Sequence, residues 1–127
     1  MAVPLISTEL DRSQGPAPFS ATGRSFAIRE WRGSGPAKLH VHHADDEAWH
    51  VLDGTLRFRF TDRIVEVGAG ETVFVPAGVP HTYEAQNARY LVFLPPRLVA
   101  LIGQLQQIRD TDSHPEIYRA HLSELLE

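Results

Sequence analysis

The amino-acid sequence predicts an all-β domain, a sandwich or barrel, followed by a helical tail. Between Arg24 and Leu94, short segments rich in β-branched and aromatic residues recur at near-regular spacing. Turn chemistry separates them: Gly33-Ser34-Gly35-Pro36, Asp53-Gly54, Thr61-Asp62, Gly68-Ala69-Gly70 and Pro76-Ala77-Gly78-Val79-Pro80. Strands so punctuated, with no helical period between them, build antiparallel sheets and not βαβ units. After Pro95-Pro96 the apolar period lengthens to three and four residues, which is the helical spacing.

Residues 1–23 carry Pro4, Gly15, Pro16, Pro18 and Gly23 without sustained periodicity. They are expected to form an arm that pairs as an edge strand or covers a neighbouring subunit. The expected strands are Ser25–Trp31, Lys38–His43, Glu47–Leu52, Thr55–Phe60, Ile64–Val67, Thr72–Val75, His81–Ala85 and Arg89–Leu94. Asp53-Gly54 reads as a tight hairpin, because glycine tolerates the positive φ such turns need. In the tail, Leu98, Leu101, Ile102, Leu105 and Ile108 share one helical face. A second helix is expected to start at Ser113 as N-cap, with Glu116 closing a capping box. Its apolar face is Ile117, Tyr118, His121, Leu122 and Leu125. The chain therefore reads as one domain over 1–127: arm 1–23, β-barrel 24–94 and helical tail 95–127.

Composition excludes several function classes. A length of 127 residues suits one core, and 43% apolar with 22% charged residues suits a folded chain. The absence of cysteine removes disulfides, thiolate metal sites and thiol nucleophiles. A net charge of −4 gives no basis for nucleic-acid binding. No apolar run approaches the roughly 20 residues that span a bilayer, so no membrane partner is expected. The opening MAVPLISTELDR lacks the basic start and apolar stretch of a signal peptide, so a cytoplasmic location is expected. Lys38 is the single lysine, which disfavours lysine-based chemistry.

Histidine is the unusual feature: of seven in the chain, His40, His42, His43 and His50 crowd one short stretch. On a strand, residues two apart face the same side, so His40 and His42 can converge on one cation. A turn through residues 43–46 then lets Glu47 reach the same point from the next strand. His81 follows the rigid Pro76–Pro80 turn, which fixes its direction. Three imidazoles and a carboxylate suit divalent Fe, Mn, Ni, Zn, Co or Cu. On an octahedral metal they leave two positions open for substrate, water or O2, which is a catalytic arrangement. His43 also stands at a permitted distance from Glu47, but its partner two residues back is Val41, which places it at the rim. His50 has the opposite strand parity from Glu47 and is expected outside the barrel, and His114 and His121 belong to the tail.

Two patterns carry a family resemblance. His40-x-His42-x4-Glu47-x6-Gly54 and Gly70-x5-Pro76-x-Gly78-x2-His81 resemble the two motifs of the cupins. The chain is similar in particular to small, single-domain, quercetin-dioxygenase-like monocupins. It departs from the motifs at Ser34, where the family has a leading Gly, and at Ala85, where it has a closing Asn. The resemblance implies a jelly-roll (double-stranded β-helix) barrel, with His40, His42, Glu47 and His81 as metal ligands. It also implies pairing into a homodimer through edge strands.

Strand parity places Trp49 and Val51 on the face of Glu47, Tyr83 on that of His81, and Phe58 and Phe60 inward. These residues form the barrel core or, where they reach the cavity, an apolar substrate pocket. Trp31 adds to that wall or to a dimer interface, and Arg57 and Arg59 face solvent. The expected function is that of a metal-dependent dioxygenase acting on a small enol or aromatic molecule, with Glu47 and Tyr83 as catalytic residues. The alternatives are a non-redox isomerase, cyclase or lyase, and a non-catalytic module that binds a small ligand.

Overall fold

The structure, a computed structural model, describes residues 3–8 and 17–127. The remainder of the expected arm, residues 1–2 and 9–16, lies outside the described residues. The strands are β1 (Ser20–Thr22), β2 (Ala27–Trp31), β3 (His40–His42), β4 (Glu47–Arg59), β5 (Ile64–Gly68), β6 (Thr72–Val75) and β7 (Thr82–Leu94). Helices α1 (Pro96–Gln107) and α2 (His114–Ala120) follow, and then a last strand, β8 (Ser123–Leu125). One six-stranded sheet runs β1-β2-β7-β4-β5 with β6 also on β4, and β3 pairs with β8 in a second, two-stranded sheet. All pairings are antiparallel, so the expected all-β class with a helical tail is what the chain forms. From the arm, Ser20–Thr22 pairs with β2 as an edge strand.

Asp53-Gly54 is not a hairpin. It lies inside β4, which runs unbroken for 13 residues against the equally long β7. The register between them shifts at Val51/Asp53 and again at Asp53/Thr55. Gly54 has φ +76° and Asn87, opposite it, φ +49°. A Cβ on Gly54 would lie 2.2 Å from the Asn87 carbonyl oxygen, so the two backbones touch at this corner. Positive φ serves a bulge as well as a turn, and tertiary pairing decides between them. Here the first half of β4 takes β6 as its second neighbour and the second half takes β5. For the same reason the expected strands His81–Ala85 and Arg89–Leu94 are one strand, bent at Asn87.

The bend also changes parity. Before it Glu47, Trp49 and Val51 are buried; after it Leu56 and Phe58 are. One strand can thus feed both halves of a continuous core, in which Tyr90, Val92 and Leu94 of β7 meet Leu98 and Leu101 of α1 and Ile117 and Tyr118 of α2. The true hairpin after β4 is at Thr61-Asp62, where the Phe60 N–H donates to the Arg63 carbonyl.

Two details of the tail differ from expectation. Ser113 stands at the N-cap of α2 as expected, but its side chain makes no cap hydrogen bond; its hydroxyl donates to Asp110, whose carboxylate accepts the Asp112 N–H and caps a 3₁₀ turn, Thr111–Ser113, ahead of the helix. The helix also stops at Ala120, and Leu122 turns back with φ +54°. Leu122 is therefore exposed, and Leu125 belongs to β8 instead of to a helical face.

Candidate metal centre

His40 and His42 come from β3, Glu47 opens β4, and His81 immediately precedes β7. A backbone bridge joins the first to the last: His40 N–H donates to the His81 carbonyl and His81 N–H to that of His40. This bridge places the three imidazoles together, with ring centroids 4.5–5.4 Å apart. One potential ligand nitrogen from each lies within 4.8 Å of the others, and all three residues are buried.

Hydrogen-bond partners fix how the rings present themselves. His40 Nδ1 lies 3.0 Å from the Lys38 carbonyl, and His81 Nδ1 lies 2.9 Å from that of Val79. A carbonyl only accepts, so both nitrogens carry the proton. His42 Nδ1 meets the Ser123 hydroxyl oxygen at 2.7 Å, while that hydroxyl donates to the His121 carbonyl. Ser123 must therefore accept, and His42 also has its proton on Nδ1. The Nε2 lone pairs are left for a ligand, the orientation that ligating histidines adopt.

Glu47 Oε1 stands 3.1 Å from His42 Nε2 and 3.3 Å from His81 Nε2. Two nitrogens and a carboxylate oxygen, all acceptors, do not rest at such distances without positive charge between them. A proton on each ring or a metal cation supplies it. Burial alone would raise the Glu47 carboxyl; the contacts with His42 and His81 override it and hold it down at about 2. Burial, helped by the neighbouring His81 and His42 rings, pushes the His40 imidazole down to about 4. At neutral pH the site thus holds an anionic carboxylate and, at His40, an unprotonated imidazole. This donor set of imidazole nitrogens plus one anionic oxygen fits a borderline divalent metal.

A cavity of about 440 Å³ opens beside the cluster. Its walls are mainly aromatic (Trp31, Trp49, Tyr83, Tyr90, Tyr118) and aliphatic, the latter from Leu98, Leu101, Ile102 and Leu105 of α1, with Arg32, Ser34 and Gln106 as polar lining. Trp49 lines it as expected, and Trp31 belongs to the wall. Val51, Phe58 and Phe60 do not reach it: Val51 and Phe58 are core, and Phe60 stacks on Phe58. The sequence reading missed Tyr90, Tyr118, the α1 leucines and Ser123. Helical periodicity marked Tyr118 and the leucines as apolar-face residues, but not as cavity lining. Nothing in the local pattern marked Ser123.

Tyr83 packs edge-on against Trp49, and its hydroxyl meets that of Tyr90 at 2.9 Å. The Tyr90 hydroxyl donates to the Gly33 carbonyl, so the Tyr83 proton goes to Tyr90. Burial, then the Tyr90 hydroxyl, raises Tyr83 well above the usual phenol value. The remaining histidines lie apart. His43 is exposed against Glu124, His50 bonds Thr72, His114 the Ile108 carbonyl and His121 the Ile117 carbonyl. Arg57 and Arg59 are partly exposed and pair with Glu84 and Glu127.

Ser34 and Ala85, where the chain departs from the two motifs, meet each other: the Ala85 N–H donates to the Ser34 hydroxyl at 2.9 Å. The glycine on its far side is equally constrained, since a Cβ on Gly35 would fall 2.5 Å from the Tyr83 ring.

The described residues contain no helix long and apolar enough to cross a membrane. No curated protein matches the chain. Among solved structures, a cupin-2 domain containing protein from Shewanella frigidimarina is 24% identical, with a TM-score of 0.56 over 71% of this chain and 94% of its own. A protein from Neisseria meningitidis is 18% identical, with a TM-score of 0.57 over 72% and 99%. A double-stranded β-helix domain protein from Klebsiella pneumoniae is 16% identical, with a TM-score of 0.52 over 73% and 91%. The cupin-domain family model matches residues 30–94, a span that contains both histidine motifs, the bent strands and all four residues of the cluster. By that match, and by the barrel it folds into, this chain belongs to the cupin family.

Proposed function

We propose that this protein is a divalent-metal enzyme of the dioxygenase type, acting on a small enol or aromatic molecule. His40, His42, Glu47 and His81 are the proposed ligands. The observation that carries the reading is the convergence of three Nδ1-protonated imidazoles and one carboxylate beside an apolar, aromatic-walled cavity. A divalent transition metal would supply Lewis acidity there and, for a redox-active ion, a site for O2.

The chain's own residues supply the rest. Glu47, anionic at neutral pH, is placed to take a proton from an enol or acidic C–H. Tyr83, kept protonated by burial and by Tyr90, would turn its hydroxyl from Tyr90 to donate a hydrogen bond to a substrate oxygen. The tyrosines, tryptophans and α1 leucines hold a flat apolar substrate and exclude water. The same protonated Tyr83 favours a second reading, a non-redox isomerase, cyclase or lyase in which it serves as general acid.

Metal analysis of protein purified without a histidine tag tests the site. Near-stoichiometric metal is expected, and His42→Ala and His81→Ala should each lose it. A folded wild-type protein that binds no added metal would sink both enzymatic readings and leave a module that binds a small ligand. O2 uptake with a panel of flavonols and 1,3-diketones then separates the two, since a metal-loaded protein that consumes none selects the non-redox reading.

A further inference from the structure

We propose that β8 completes the metal site, with Ser123 as the residue that positions His42 for coordination; this rests on the reading of the cluster as a metal centre. The three imidazoles are not held alike. His40 and His81 each donate Nδ1–H to the backbone carbonyl two residues earlier, Lys38 and Val79. The corresponding carbonyl for His42 is that of His40, and the His81 N–H already occupies it at 2.8 Å. His42 takes instead a side chain from 81 positions along the chain.

Ser123 suits this role by burial and by polarity. It is 2% exposed and lies directly opposite His42 in the β3–β8 register. Because its hydroxyl proton goes to the His121 carbonyl, its oxygen can only accept, and the His42 Nδ1 must be protonated. The His42 Nε2 lone pair is thereby aimed at the cluster, where Glu47 lies.

The strand has anchors of its own. The Leu126 N–H donates to the Leu39 carbonyl, the His43 N–H to that of Leu122, and the Leu39 N–H to the Glu127 carboxylate. Glu127 is further held by Arg59 at 2.7 and 3.0 Å. Removing the serine hydroxyl should therefore leave β8 docked while freeing the His42 ring to turn or change tautomer. Metal binding and β8 docking are then linked, each strengthening the other by the same factor.

Zinc(II) affinity, measured by chelator competition on the full chain, tests the proposal. Ser123→Ala should weaken it about 10- to 100-fold, the usual effect of removing a partner of a ligating histidine. Metal-free Ser123→Ala should also show nitrogen NMR shifts of a His42 ring that has lost its Nδ1 proton, where wild type retains it. In wild type, zinc should slow hydrogen exchange at residues 123–125, and less so in the variant. Wild-type affinity and an unchanged tautomer in Ser123→Ala would overturn the inference, as would a loss of metal-free stability with affinity intact. His42→Ala separates the two levels. Were wild type to bind zinc, His42→Ala to lose it and Ser123→Ala to keep it, only the positioning role would fall. A wild type that binds no zinc removes the metal centre and this inference together.

Discussion

Imidazole and carboxylate work against burial in opposite ways at this centre, and acid should expose the difference. His40 has a depressed folded-state value of about 4 against an ordinary 6.5, so the unfolded chain takes up its proton first as pH falls. Its contribution is complete above about pH 6.5 and is lost on the way down to about pH 4. Glu47, held at about 2, follows the same sign at lower pH: its contribution is present above about 4.5 and goes as pH falls toward 2. Metal-free protein should accordingly lose on the order of 3 kcal/mol between pH 7 and pH 4 through His40, read by urea unfolding at each pH. A stability independent of pH over that interval would contradict the burial of an uncharged His40. The proposed ligands were legible because strand parity puts His40 and His42 on one face and the two motifs add Glu47 and His81. Ser123 was not, because its meaning depends on which strand β8 joins, and no local pattern states that.

A strand that bends must do so at a residue that tolerates it, and in β4 that residue is Gly54. Alanine there would combine a φ of +76° with a Cβ only 2.2 Å from the Asn87 carbonyl oxygen. The clashing atom is backbone and cannot swing aside, so Gly54→Ala should cost more than about 3 kcal/mol. Thermal unfolding of the variant checks this, and a loss below about 1 kcal/mol would mean that the corner relaxes freely. Asp53-Gly54 was a true signal for positive φ, but a dipeptide cannot report whether the chain reverses or merely bends. Choosing between them needed the pairing of β4 with β5, β6 and β7, which is a property of the sheet. The start of α2 teaches the same lesson on a smaller scale: Ser113 holds the N-cap position, but the 3₁₀ turn before it commits the Ser113 hydroxyl to Asp110.

The all-β class with its helical tail was legible because turn chemistry and the change of period survive any arrangement of partners. The strand order and the return of residues 123–125 to β3 were not, because neither leaves a local trace. Apolar side chains remain outward, Phe74 at 62% and Phe26 at 54% exposure, and β1 lies at a sheet edge. These features support the proposed homodimer, for which light scattering should return twice the chain mass; a single chain mass would remove it. Closure of the barrel also has a consequence in time. Glu47 pairs with Val75 of β6 and His40 bridges to His81, and both must form before Glu47 and His81, 34 positions apart, come together. Pairings of this range form late and slowly, so the full donor set does not exist until the barrel is nearly closed. A bound divalent ion should then slow unfolding sharply while leaving the refolding rate almost unchanged. Stopped-flow chevrons with and without metal would show it, and an accelerated folding limb would place the site earlier on the path. The metal would act as a latch on a finished barrel, and not as the nucleus around which it assembles.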